Sequence, residues 1–217
     1  MNVLFDLDGT LTDSRPGILA CIRHALERCG SSPPSELELR RCIGPPLRHS
    51  FARLLASDID SPCVVEAINA YRERFTATGM FENAVYERIP AVLDELVRRG
   101  ARLYVATSKP QVYARRILEH FNLHDRFLGI FGSELDGTRD DKSELVTYAM
   151  ARAALKPAET VMIGDREHDM HGAVRNDVFP AGVLWGYGSE HELRAAGAKL
   201  LLNAPMEIPQ VLNALSR

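Results

Sequence analysis

The chain has 217 residues, with 26 basic and 29 acidic side chains and a formal net charge of −3. This length accommodates one domain of ordinary size with a smaller module attached. The near balance of charge argues against nucleic acid or an anionic membrane surface as a partner, and no apolar run approaches the roughly 18 residues that span a bilayer. We therefore expect a cytoplasmic protein that acts on a small molecule, as a monomer or weak homodimer.

Short apolar runs alternate with helical patterns along most of the chain, which is typical of an α/β fold. The predicted strands are residues 2–6, 102–107, 128–132, 160–164, 181–184 and 200–202. Helices are predicted at 89–99, 111–121 and 143–155. The first places Val92, Leu93, Leu96 and Val97 on one side and stops at Gly100. Short, mostly apolar strands indicate a sheet buried on both faces. The sequence therefore predicts a Rossmann-like, doubly wound and mostly parallel sheet.

Residues 16–80 interrupt the alternation with helical patterns and no convincing strand, and so predict an inserted all-helical cap domain. The domain boundaries then become 1–15 and 81–217 for the core and 16–80 for the cap. Two apolar stripes at helical spacing predict packing inside the cap: Ile18, Cys21, Ile22, Ala25, Leu26 and Cys29, and then Val64, Val65, Ile68, Tyr71 and Phe75. The turn-rich run from Ile43 to Arg48 predicts a projecting loop between them.

The cysteines carry little sign of metal or redox chemistry. They are Cys21, Cys29, Cys42 and Cys63, and none forms the close CxxC pair of a zinc or thiol–disulfide site. Cys21 and Cys29 would lie about 12 Å apart on one helix, too far for a disulfide. We expect small, buried, reduced thiols.

Polar side chains follow several of the predicted strands. Asp6 and Asp8 come after the first, the run from Thr107 to Lys109 after the second, and Asp165 after the fourth. Ligands of open parallel sheets bind outside the carboxyl ends of the strands, so these groups should line one crevice. Asp8-Gly9 alone would more often be an ordinary turn. Together, carboxylates, hydroxyls and a lysine suit a phosphate and a hard divalent cation.

In these residues the chain resembles the haloacid dehalogenase superfamily, whose phosphatases carry four motifs in a fixed order. The motifs read Asp6-Leu7-Asp8-Gly9-Thr10, Val105-Ala106-Thr107, Lys142 and Gly164-Asp165-Arg166-Glu167-His168-Asp169. Further runs resemble the branch with phosphoglycolate phosphatases and 5'-nucleotidases: residues 43–47, 107–110, 132–137 and 182–188. The resemblance covers essentially the whole chain. It implies a phosphatase, a phosphoric monoester hydrolase, acting on a small phosphomonoester.

The resemblance also implies a role for each motif residue. Asp6 would be the nucleophile that forms a phospho-aspartyl intermediate, and Asp8 the general acid that later becomes the base. Mg²⁺ would be held by Asp6, the backbone carbonyl of Asp8 and Asp165, with Asp169 contributing directly or through water.

Phosphoryl and leaving-group contacts are implied elsewhere. Thr107 and Ser108 would donate to phosphoryl oxygens, while Lys142 would neutralise charge there and keep Asp6 ionised. In the cap, Gly44 and Arg48 are candidates to contact the leaving group, although charged helix residues such as Arg48 more often simply face solvent. Less favoured cap candidates are His49, Arg72 and Arg74.

Several alternatives remain open at this stage. A sugar-phosphate mutase of the same superfamily would reuse both aspartates, and a non-catalytic scaffold would keep only the fold. Lys109 competes with Lys142 for the phosphoryl group. His168 and His171, three residues apart beside acidic groups, could instead belong to a transition-metal site.

Overall fold

The computed structural model describes residues 1–215, which fall into two compact units. The α/β unit contains Met1–Asp13 and the chain from Val85 onward, and the helical unit contains Ser14–Ala84. These divisions lie a few residues from the expected boundaries at 15/16 and 80/81. Whether the helical unit acts as a cap over a substrate stays a prediction.

The secondary structure follows the predicted alternation. The strands are β1 (Asn2–Phe5), β2 (Thr12–Asp13), β3 (Ala84–Val85), β4 (Arg102–Pro110), β5 (Gly129–Ser133), β6 (Thr160–Gly164), β7 (Phe179–Val183) and β8 (Leu200–Leu202). The helices are α1 (Arg15–Arg28), α2 (Glu36–Arg40), α3 (Leu47–Leu54), α4 (Pro62–Arg74), α5 (Ile89–Arg98), α6 (Gln111–His120), α7 (Lys142–Arg152), α8 (Glu167–Arg175), α9 (Glu190–Ala195) and α10 (Ile208–Leu215).

Six strands form one parallel sheet in the order β5-β4-β1-β6-β7-β8, and β2 and β3 form a separate two-stranded sheet. From β1 the chain builds outward through β4 and β5, and it then returns to β6 on the other side of β1. The strand order therefore reverses at β1. A crevice at the carboxyl end of β1 follows from this reversal, as in other doubly wound sheets. The predicted α/β fold class is confirmed.

One strand is longer than predicted. β4 continues past Thr107 to Pro110, and its pairing with β5 shifts register between Thr107 and Pro110. Such a bulge bends the strand locally and redirects the side chains that it carries. Ser108 and Lys109 lie in this irregular stretch, whose Pro and polar residues hid the strand continuation from sequence reasoning.

The helices that cover the sheet bury one apolar face each. In α5, the prediction that Val92, Leu93, Leu96 and Val97 share the buried side is wrong for the last residue, since Val97 is 47% exposed. Ile89 is buried instead. Positions 89, 92, 93 and 96 follow the 3.6-residue period, whereas position 97 is rotated about 100° from position 96.

The helical unit is held by an apolar core between α1, α4 and the π-helical turn Phe75–Gly79. Tyr71 lies at its centre, stacked on Phe75 with ring centroids 5.4 Å apart and edge-on to Phe51 at 6.2 Å. The predicted apolar stripes are largely buried here. Cys29 is only half-buried, and Val65 is 41% exposed because it is one step round the helix from buried Val64.

Part of the expected loop is a helix. α3 begins at Leu47, directly after Pro46 at the N-cap, so Arg48 lies in the first helical turn rather than in a loop. The buried Phe51, four residues after Leu47, anchors this helix in the core of the unit. Gly44 stays in the preceding turn with φ of +105°, a conformation that favours glycine.

All four cysteines are free thiols, as predicted. Cys21 and Cys42 are buried, whereas Cys29 and Cys63 are only half-buried. Within residues 1–215, every helix is too short or too polar to cross a membrane.

Gly17 of α1 packs directly against the backbone of Gly79. A Cβ atom on Gly17 would lie 2.0 Å from the carbonyl oxygen of Gly79, a distance that no side chain tolerates. In an open helix, glycine to alanine stabilises by about 0.5 to 1 kcal/mol. We predict the opposite sign here: Gly17→Ala lowers the free energy of unfolding by about 1 to 3 kcal/mol, as overpacking does. Urea denaturation measures the change, and a more stable variant would contradict the packing described.

Candidate active site

Three strand ends meet where the sheet reverses. Asp6 directly follows β1, Thr107 lies in the neighbouring β4, and Asp165 directly follows β6 on the other side. The three strands are in register here, since Phe5 pairs with both Val105 and Ile163. The backbone N–H of Asp6 donates to the carbonyl of Ile163 at 2.9 Å, which extends the pairing by one step. The structure thus brings these groups to one edge of the sheet.

The loop after β1 turns sharply at Gly9. Its φ is +88°, and a Cβ atom there would lie 2.2 Å from Oδ2 of Asp165. The turn is closed by hydrogen bonds from the backbone N–H groups of Leu11 and Thr12 to the carbonyl of Leu7. Glycine is therefore required both for the backbone conformation and for the approach of the carboxylate.

Lys142 places a buried positive charge among the carboxylates. Its Nζ lies 2.7 Å from Oδ1 of Asp6 and 2.7 Å from Oδ1 of Asp169, and it donates to the carbonyl of Ala106 at 3.0 Å. Burial alone would lower the pKa of Lys142, but the charges of Asp169 and Asp6 outweigh burial and raise it. The ammonium therefore stays charged at neutral pH. Lys142 is the first residue of α7. The side chain of the N-cap residue Asp141 accepts hydrogen bonds from the backbone N–H groups of Ser143 and Glu144.

Asp6, Asp165 and Asp169 form a buried carboxylate cluster, with one oxygen from each lying within 4.8 Å of the others. Burial, followed by the charges of Asp169 and Asp6, raises the pKa of Asp165 well above its ordinary value. Burial also raises the pKa of Asp169, to about 6, although Lys142 opposes the rise. One ammonium thus compensates three carboxylates incompletely. Oxygen ligands with excess negative charge suit Mg²⁺ or another hard cation.

The carboxylates of Asp165 and Asp169 are oriented by backbone N–H groups. Tyr187 N–H donates to Oδ2 of Asp165 at 2.7 Å, and Arg166 N–H donates to Oδ2 of Asp169 at 3.1 Å. The Thr10 hydroxyl reaches Oδ1 of Asp165 at 3.4 Å. Asp165 is thus held by groups from two other loops, whereas Asp169 is held by the N-cap backbone of its own helix α8.

Residues 185–188 were not predicted as part of the site. The indole N–H of Trp185 donates to the carbonyl of Thr10 at 3.0 Å, and the Tyr187 hydroxyl donates to Asp13 at 2.9 Å. A Cβ atom on Gly186 would lie 2.3 Å from that of Asp165. The Gly-rich run after β7 is therefore the frame that holds the loop after β1 against Asp165. Its resemblance to family members was the one sequence signal for this role.

Asp8 and Lys109 form a second ion pair in the same unit. Nζ of Lys109 lies 2.9 Å from Oδ2 of Asp8, and their side chains are 6% and 14% exposed. The two lysines therefore hold different carboxylates, with Lys142 at Asp6 and Lys109 at Asp8. The sequence had offered them as competitors for one position.

Thr107 and Ser108 lie on the bulge of β4. The Thr107 side chain is buried, and its Oγ1 accepts from the backbone N–H of Lys109 at 3.3 Å. The carbonyl of Ser108 accepts from the Ser133 hydroxyl at 2.8 Å. The first contact lies within the bulge and the second joins the bulge to β5, and both leave the Thr107 O–H able to donate.

The remaining candidates are placed as follows. Gly44 and Arg48 belong to the helical unit, where Nη1 of Arg48 pairs with Oδ1 of Asp60 at 2.7 Å. Neither His168 nor His171 belongs to the carboxylate cluster described above. Burial, followed by the charge of Arg166, lowers the pKa of His168.

Comparison with known proteins identifies relatives over most of the chain. A family model described as "Haloacid dehalogenase-like hydrolase" matches residues 3–183. A 5'-nucleotidase of Pseudomonas aeruginosa is 50% identical over 194 residues, covering 89% of this chain and 87% of that protein. The tyrosine-protein kinase PtkA of Mycobacterium tuberculosis is 39% identical over 86% of this chain, which spans 62% of that protein's length.

Solved structures also match this chain over nearly its whole length. The crystal structure of "a predicted phosphatase from Clostridium acetobutylicum" has a TM-score of 0.92 and 42% identity, and the alignment covers 98% of both chains. The six-stranded sheet and its flanking helices are thus those of this group of proteins.

The carboxylate cluster predicts how a cation affects stability. In the metal-free protein the raised pKa values mean that the folded state binds more protons than the unfolded state, so stability falls as pH rises from about 4 to about 6. A bound cation should offset this loss. We predict that Mg²⁺ raises the thermal midpoint, and more at about pH 7.5 than at about pH 5.5, where protons compete.

Differential scanning fluorimetry with Mg²⁺ or with chelator measures both shifts. Asp165→Asn should abolish the Mg²⁺ effect, whereas Asp94→Asn, on the exposed surface, should retain it. An equal Mg²⁺ shift in both variants would contradict a cation site at the cluster.

Proposed function

We propose that this chain, which belongs to the haloacid dehalogenase-like hydrolase family, hydrolyses small phosphomonoesters with Mg²⁺ bound and through a phospho-aspartyl intermediate at Asp6. It is a phosphoric monoester hydrolase. The observation that carries the proposed mechanism is the buried Lys142 ammonium, which lies 2.7 Å from Oδ1 of Asp6. A carboxylate that is paired with a buried ammonium and oriented in this way is a prepared nucleophile.

In the first step a carboxylate oxygen of Asp6 attacks phosphorus in line with the leaving oxygen. The bond from phosphorus to that oxygen breaks, and Asp8 transfers a proton to the departing alcohol. In the second step Asp8, now a carboxylate, removes a proton from water as the water attacks the phospho-aspartate. Phosphate leaves and the Asp6 carboxylate is regenerated.

The surrounding groups stabilise charge on the phosphoryl oxygens. We assign the Thr107 hydroxyl and the Ser108 backbone N–H as donors to these oxygens, with Lys142 supplying a positive charge. Asp6, Asp165 and Asp169, together with the Asp8 backbone carbonyl, would hold Mg²⁺. When bound, the ion would neutralise phosphoryl charge and align the oxygens for in-line transfer. The carboxylate cluster supports this assignment, because the three carboxylates carry more negative charge than the one ammonium of Lys142 neutralises.

The substrate class is inferred from the relatives. A nucleoside 5'-monophosphate is the first candidate, because the Pseudomonas aeruginosa 5'-nucleotidase matches this chain at half of the aligned positions. A short phosphate ester that carries a carboxylate, such as phosphoglycolate, is the second. One panel of phosphomonoesters compared by kcat/KM with Mg²⁺ separates the two, and isomerisation without phosphate release would instead indicate a mutase.

Asp6→Asn tests the nucleophile. The change keeps the side-chain shape but removes the attacking carboxylate, so kcat should fall by about 1,000-fold or more. The thermal midpoint should not fall, since the substitution relieves repulsion with Asp165 while Lys142 still pairs with Asp169. Steady-state phosphate release measures the loss, with Asp94→Asn as the control for an exposed aspartate. Activity within about tenfold of the unmodified protein would rule out Asp6 as the nucleophile.

We propose that Arg48 contacts the leaving group and so contributes to substrate specificity. Arg48→Ala should then change kcat/KM unequally, by about tenfold more for some phosphomonoesters than for others. Lys142→Ala should lower kcat/KM for all substrates alike, because Lys142 acts on the phosphoryl group that they share.

Asp60→Asn is the matched control for Arg48, because it removes the same ion pair and leaves the guanidinium in place. Its substrate ratios should stay within about twofold of the unmodified protein. If Asp60→Asn reproduces the effect of Arg48→Ala, Arg48 acts only through packing of the helical unit.

A further inference from the structure

Lys109 is held close to Asp8 in a setting where an unpaired charge would be costly. Its side chain is only 6% exposed, and its Nζ lies 2.9 Å from Oδ2 of Asp8. A lysine so enclosed is not the solvated surface residue that a lysine usually is. Removing an ammonium from water requires a compensating partner, and the Asp8 carboxylate is one.

The two oxygens of Asp8 have different surroundings. Oδ2 is engaged by the Lys109 ammonium, whereas Oδ1 is buried and has no hydrogen-bond partner among residues 1–215. A buried carboxylate oxygen without a partner is costly in a resting structure unless a ligand or water satisfies it. The asymmetry leaves one oxygen fixed and the other available to a reacting group.

Lys109 itself is fixed by the bulge of β4. Its backbone N–H donates to Oγ1 of Thr107, the next residue Pro110 pairs with Ser133, and the Ser133 hydroxyl donates to the carbonyl of Ser108. The same short stretch therefore carries the proposed phosphoryl donors and the lysine that holds Asp8. Bulges of this kind re-aim side chains beside active sites.

We propose that Lys109 is a positioning residue that orients Asp8 and assigns proton transfer to Oδ1. This inference rests on the proposed function, in which Asp8 is the general acid and base. An ammonium can donate to a carboxylate oxygen and, more weakly, to the carbonyl oxygen of a carboxylic acid, so Lys109 can hold Oδ2 in both states. The transferable proton is then confined to Oδ1.

The reaction balances with this assignment. Oδ1–H gives its proton to the leaving alcohol oxygen as the phosphorus–oxygen bond breaks and the bond from Asp6 to phosphorus forms. In the second step Oδ1 takes a proton from the attacking water. Lys109 remains protonated throughout and exchanges no proton.

Leaving-group dependence tests the proposal. An alkyl phosphate needs a proton on its departing oxygen, whereas p-nitrophenyl phosphate releases a stable anion and needs none. kcat/KM reports the steps up to phosphorylation of the enzyme, so slow dephosphorylation does not obscure the comparison. Lys109→Met should lower kcat/KM about 100-fold for the alkyl ester and less than about fivefold for the aryl ester. Lys109→Arg, which keeps a donor, should recover much of the loss.

Equal losses for both esters would overturn the proposal, since they would show that Lys109 acts on the phosphoryl group. No loss with the alkyl ester would overturn it as well. Asp8→Asn separates this failure from that of the proposed function. If Asp8→Asn itself shows no preference for the aryl ester, the acid role of Asp8 fails; if only Lys109→Met lacks the preference, the positioning role alone fails.

The double variant Asp8→Asn/Lys109→Met keeps the test decisive if Lys109→Met folds poorly, because it also removes the unpaired carboxylate. A residue that acts only through Asp8 adds no further loss, so the double variant should match Asp8→Asn on the alkyl ester within about twofold. An additional loss of about tenfold or more would mean that Lys109 contributes independently of Asp8 and would overturn the inference.

Discussion

The buried ammonium of Lys142 is the interaction on which the rest of the site depends. It lies between the carboxylates of Asp6 and Asp169, all three groups being at least nine-tenths buried. A buried pair of this kind does not by itself stabilise a fold, since desolvation offsets much of the attraction. It does place a compensating positive charge beside both carboxylates in a water-poor setting. Ionisable groups with shifted pKa values that lie close together are typical of a catalytic centre.

This arrangement follows from the order of the strands. Asp6 and Asp165 lie far apart in sequence, yet the reversal at β1 places β1 and β6 side by side and in register. Lys142 reaches the same edge because it opens α7, whose first turn is capped by Asp141. A parallel sheet thus supplies the positions, and short loops supply the chemistry. The incomplete charge balance that results is what favours a divalent cation there.

The sequence predicted what depends on period and motif, and missed what depends on local irregularity. Six core strands were located because buried strands are short and apolar, and the fold class followed from their alternation with helices. The extension of β4 through Lys109 was missed, because a bulge leaves no periodic signal. The pairing of Lys109 with Asp8 was missed for the same reason. Tyr187 and Trp185 act through a backbone N–H and an indole N–H, which spacing alone cannot reveal.

The central claim is that Asp6, held by Lys142, accepts the phosphoryl group. Rapid acid quench of the enzyme during turnover, followed by peptide mass spectrometry, tests this claim most directly. The account predicts that the peptide containing Asp6 gains the mass of one phosphoryl group, and that hydroxylamine removes it as it does from acyl phosphates. A phosphoryl group on any other residue, or none at a time when product is forming, would contradict it.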